Sequence, residues 1–158
     1  MSDLLNALNA SAAASAAYAE AARAAVKARV GADRVAFDRE QHLVHGLAWV
    51  ATYAETLREV RDWAQALTAA GKFGETEQLL AKLLLGEYTA QLAGGLPMTQ
   101  VESIRPADFG VGAPPVAAPA TQEEKNRLAV LLRDAAGRAT LEQTGLDEDF
   151  ELIRDQFR

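Results

Sequence analysis

The sequence predicts an all-α protein, a helical bundle of three to five helices built around a long central helix. Three observations carry this expectation. The stretch Asp38–Ala70 has no proline and a single internal glycine, Gly46. Within it Leu43, Leu47, Val50, Tyr53, Leu57, Val60, Ala64 and Leu67 follow one another at steps of three or four, which keeps one apolar stripe on one side of an α-helix. Alanine is heavily used, and it has the best helix propensity because it has no side-chain entropy to lose. Finally, Leu79, Leu80, Leu83, Leu84 and Leu85 make the stretch Glu75–Ala93 apolar over much of its circumference, as expected of a helix covered on more than one side.

The central helix has a second row on the flank of its stripe, formed by His42, His45, Trp49, Thr56 and Trp63. At 1.5 Å per residue it would run to ~50 Å, so other helices must line up along it. Asp38, with Gln41 three positions later, is a variant of the capping box and marks its start. Gly71 is a credible stop.

Before it, residues 2–30 form an alanine-rich helix with Ser2 as a cap and Gly31 at its end. Tyr18, Ala22, Val26 and Val30 give a thin apolar stripe, and Leu4, Leu5 and Leu8 begin another. The middle, SAAASAA, is small on every side. It suits either a close-packed helix seam or a partly frayed alanine helix. Residues 31–37 read as a connector.

After it, Gly94-Gly95 terminates the leucine-rich helix, and Leu96-Pro97 carries the chain away because the residue before proline is pushed out of helical geometry. The segment 98–120 holds four of the five prolines and reads as extended, without a period. Thr121 opens a further helix, with Glu124 completing a capping box. Leu128, Leu131, Leu132, Ala135 and Ala139 form its apolar face. Gly137 weakens it and Gly145 ends it. Asp147, Glu148 and Asp149 suit a helix N-terminus, and Phe150, Ile153 and Phe157 start a new amphipathic pattern. The sequence thus divides into an N-terminal helical domain at 1–105, a Pro/Gly/Ala-rich linker at 106–120 and helices at 121–158.

The chain has 158 residues, the size of one ordinary domain. Its net charge of −6, with acidic and basic residues mixed rather than blocked, argues against nucleic acid and anionic membranes as partners. With no cysteine there are no disulfides, no thiolate metal sites and no cysteine nucleophile, which fits a cytoplasmic location. No apolar run approaches the ~20 residues that span a bilayer, and the N-terminus lacks the basic start and apolar core of a signal peptide.

No residue set carries catalysis, a cofactor or a metal by its pattern. His42 and His45, the only histidines, stand three apart and could share a metal. A bundle di-metal site would want Glu-x-x-His motifs on two helices, and neither histidine has Glu three residues earlier. Glu55 and Glu87 could serve as further ligands only if the fold brought them close. Trp49 and Trp63, fourteen residues apart, recur on nearly the same face and suit core packing, ligand stacking or a protein contact. Gly94-Gly95 lacks the strand and the Gly-Lys-Ser/Thr of a phosphate loop. Glu123 and Glu124 are ordinary complements of a helix dipole.

Several phrases together are more specific. EQHLVHGLAWVATYAETLRE (40–59), FGETEQLLAKLLLGEYTAQLAGGLPMTQ (73–100), RPADFG (105–110) and the final ELIRDQFR (151–158) resemble the N-terminal extension of a member of the flavin-dependent acyl-CoA dehydrogenase family. The resemblance implies FAD, a glutamate base, a homo-oligomer and α,β-dehydrogenation of a coenzyme A thioester, with hydride passing to the flavin. ELIRDQFR looks like the first helix of the catalytic portion, so the resemblance implies that this chain is a fragment. The family's flavin and base positions then have no counterpart in these residues. The chain itself would be structural, packing against the catalytic domain of the same polypeptide or a neighbouring subunit. The alternatives are a stand-alone helical interaction or oligomerisation module and a small metal-binding bundle.

Overall fold

The structure, a computed structural model, describes residues 2–133. The sequence features expected at Ala135, Gly137, Ala139 and Gly145 and over Asp147–Arg158 lie outside the described residues. Among the described residues the elements run α1 (Ser2–Val30), α2 (Arg34–Arg39), α3 (Gln41–Ala69), α4 (Glu75–Gly94), β1 (Leu96–Pro97), β2 (Ser103–Ile104), α5 (Pro106–Phe109) and α6 (Gln122–Arg133). The protein is mostly helical, as expected, and the long helices α1 and α3 pack against the others.

The stripe of α3 does what its spacing requires. Leu43, Val50, Leu57, Val60 and Ala64 are buried in the core, and Leu47, Tyr53 and Leu67 are partly buried against it. From α1 come Leu8, Tyr18, Ala22 and Val26, and from α4 Ala81, Leu85 and Leu92. Burying one such leucine or valine contributes roughly 1.5–3 kcal/mol, which is what holds these helices in register. The helices alternate in direction. Gln65 near the end of α3 donates to Asn9 near the start of α1 at 2.8 Å. Tyr53 in the first half of α3 donates to Gln91 near the end of α4 at 2.7 Å. The alanine-rich middle of α1 is packed rather than frayed: Ala12 and Ser15 are buried.

The start of α3 departs from the sequence reading. Asp33, not Asp38, acts as a cap. Its Oδ1 accepts from the Val35 amide at 2.9 Å and opens the short helix α2. The chain then turns at Glu40, which caps α3 without a side-chain bond. Two cap-competent aspartates lie five residues apart, and the earlier one uses its carboxylate on the nearer amide, so Asp38 falls inside a helix already begun. The glycine stops hold: Gly31, Gly71 and Gly95 all have positive φ, at 55°, 66° and 127°.

Residues 96–120 carry more order than their composition suggests. Leu96 pairs with Ile104 and Pro97 with Ser103 in a two-stranded antiparallel ladder. Thr99 closes its turn, its Oγ1 accepting from Val101 and Glu102. Pro106 opens α5, whose Asp108 accepts from the Arg105 amide at 2.7 Å. Residues 111–120 form neither helix nor strand, and their burial has a period. Val111 and Ala117 are half-buried and Pro114 and Ala120 buried, while the residues between them are exposed. A repeat of three is that of a polyproline-type helix.

Met1–Ala120 form one compact unit, and Thr121 begins a second. In the second, the expected capping box is present: the Glu124 carboxylate accepts from the Thr121 amide at 2.8 Å, and Thr121 Oγ1 accepts from the Glu124 amide at 3.2 Å.

Candidate functional site

The histidines lie on the first turns of α3, both exposed. With Gln41, Val44 and Glu102 they line an open groove. His45 is already engaged, its Nε2 accepting from Trp49 Nε1 at 3.0 Å. A neutral imidazole has one acceptor nitrogen, so in this arrangement the indole occupies the lone pair that a metal would need. Among the described residues, no three or more His, Asp or Glu side chains are grouped so as to hold a metal ion. Glu55 faces elsewhere. Its carboxylate accepts from Arg58 Nε at 2.9 Å and Nη2 at 2.6 Å. That hydrogen bond holds the Glu55 acid below, and the Arg58 guanidinium above, its ordinary range. Arg58 also pairs with Glu59 and Asp62. The cluster is a solvated helix face laced by ion pairs.

The tryptophans do different jobs. Trp49 is half-buried, packs against the core and donates to His45. Trp63 is 39% exposed and sets its ring edge against Phe73, centroids 6.1 Å apart. Their common face on α3 is therefore divided between two neighbourhoods, and they do not make one stacking platform.

Two tyrosines unite elements in a way the sequence did not signal. Tyr18 of α1 meets Phe109 of α5 edge-on at 6.5 Å. Burial pushes its phenol up to about 12, and the Asp108 carboxylate adds to the effect. Tyr53 stacks obliquely on Tyr88 at 4.7 Å while donating to Gln91. Its phenol is also raised, first by burial and then by Tyr88.

Reasoning from the sequence also missed Gly86 and Thr89 on α4. Thr89 is 1% exposed. Its hydroxyl donates to the Leu85 carbonyl at 2.7 Å and accepts from the Ala117 amide at 3.0 Å. The 111–120 segment rests on Gly86, where a Cβ would come within 2.8 Å of Pro119 Cα. The three-residue spacing of Val111, Pro114, Ala117 and Ala120 was the available signal.

Among the described residues, every buried side-chain nitrogen and oxygen has a hydrogen-bond partner. No helix of the described residues is long and apolar enough to cross a membrane.

No protein-family model matches the chain. The chain is 43% identical over 170 aligned positions to (2S)-methylsuccinyl-CoA dehydrogenase of Cereibacter sphaeroides. The match takes in all of this chain but 31% of that enzyme, on its N-terminal part.

Proposed function

We propose that this chain is the N-terminal helical segment of an FAD-dependent acyl-CoA dehydrogenase that oxidises (2S)-methylsuccinyl-CoA, and that the segment itself is structural. The observation that carries this is the identity of 43% along the whole chain to one end of an enzyme of that name. The satisfied polar interior and the engaged histidine are consistent with a scaffold: its side chains are spent on holding helices together, and chemistry falls to the rest of the enzyme. In this reading FAD and the glutamate base belong to that remainder. The partner of the bundle is the catalytic domain of the same polypeptide or of a neighbouring subunit in a cytoplasmic homo-oligomer.

Exposed apolar residues suit such packing. Val35, Phe37 and Val101 are 72%, 45% and 93% exposed and are available for such packing. The test is to purify the full-length gene product and assay oxidation of (2S)-methylsuccinyl-CoA with an artificial electron acceptor. Turnover supports the assignment. A product that reduces no acceptor with this thioester overturns the substrate, and one without flavin overturns the enzyme class.

A further inference from the structure

We propose that α4 carries a binding groove for extended, proline- and alanine-rich peptide, and that residues 111–120 of the chain are its resident ligand. Three observations meet at this place. The segment buries every third residue, Val111, Pro114, Ala117 and Ala120, to varying depth, so it presents one ridge of a polyproline-type helix. Gly86 leaves α4 without a side chain where the segment's backbone comes closest, and a Cβ there would meet Pro119 Cα at 2.8 Å and the Ala118 carbonyl oxygen at 3.4 Å. Thr89, one turn further on, offers a buried hydroxyl whose proton is directed to Leu85, which turns its lone pair to the Ala117 amide.

These features define a ligand class. The occupant must be extended, because its backbone approaches a helix that has no room for a bulkier path. It must bring backbone alone over Gly86 and one free N–H opposite Thr89. Proline elsewhere lowers the entropy lost on docking, because its φ is already fixed. The groove differs from aromatic-lined polyproline sites in using a missing Cβ and one hydroxyl. It is independent of the flavoenzyme assignment.

The test displaces the resident segment and offers the same sequence in trans. In the full chain, Pro114→Asp with Ala117→Pro puts a charge on the buried ridge and removes the donor to Thr89. A synthetic peptide with the sequence of residues 110–121 is the probe. Saturable binding to this folded variant is expected, weakened at least about tenfold when Gly86→Ala is added. A folded variant that binds no peptide, or binds it equally well with Gly86→Ala, overturns the proposal. A second readout needs no disabled segment. In the unaltered chain the Ala117 amide should be protected from hydrogen exchange, and Thr89→Val should speed its exchange at least about tenfold while amides of α1 and α3 are unchanged. An Ala117 amide that is unprotected from the start overturns the groove.

Discussion

Ile104 lies directly over Gly46. The β2 side chain occupies the space that a Cβ on α3 would fill, with Ile104 Cβ 2.8 Å from that position. The only internal glycine of the central helix is thus the seat of the small sheet, and Ile104 is 1% exposed there.

Gly46→Ala tests which of two opposed effects wins. Alanine in a helix interior is worth about 1 kcal/mol over glycine, whereas overpacking costs about 1–3 kcal/mol. Contact below 3 Å with a branched carbon cannot be relieved by a side-chain flip alone, so overpacking should prevail. A lowered urea midpoint with unchanged slope is the expected result. A midpoint that rises would show that Ile104 moves aside at little cost.

Leu57 and Val35 separate burial from composition. Leu57 is 1% exposed and Val35 72%. Leu57→Ala should cost about 2–5 kcal/mol through lost transfer energy and a cavity. Val35→Ala should stay within about 0.5 kcal/mol. Equal effects in denaturant unfolding would mean that the core is misplaced.

Tyr18 should make stability fall in alkali. Its phenol is pushed up to about 12 in the folded chain, from 10.0. The folded state therefore holds the proton more tightly. The contribution is fully present below pH 10, is lost as pH rises from 10 towards 12, and amounts to roughly 2–3 kcal/mol. Tyr18→Phe keeps the ring against Phe109 and should flatten that part of the stability profile. Tyr53, whose phenol is also raised, leaves a residual slope, so only an undiminished slope in Tyr18→Phe assigns the effect to other groups.

Asp33→Ala should loosen α2. Loss of the bond to the Val35 amide removes a cap worth about 1 kcal/mol, and faster hydrogen exchange at Val35 and Phe37 is expected. Asp38→Ala, inside the same helix, should leave those amides unchanged.

The helices and the core were legible in the sequence because each apolar stripe repeats at a helical period over many turns. Leu43, Val50, Leu57 and Ala64 could be placed from spacing alone. Boundaries were less legible: Asp33 and Asp38 carry the same chemistry, and only the path of the chain shows which one caps. The 111–120 segment reads as aperiodic because its burial follows neither the period of a strand nor that of a helix, and a three-residue ridge of Val, Pro and Ala has little hydrophobic contrast. Contacts between elements, such as Ile104 on Gly46 and Ala117 on Thr89, depend on residues 28 or more positions apart, which no local pattern records.

Under the proposed function, the bundle supports a flavoenzyme whose chemistry lies outside the described residues. The most direct measurement is the flavin-to-protein ratio of the isolated 158-residue chain beside that of the full-length gene product. A colourless chain and a full-length protein that holds FAD in stoichiometric amount are expected. Stoichiometric flavin on the isolated chain, or none on the full-length protein, would contradict it.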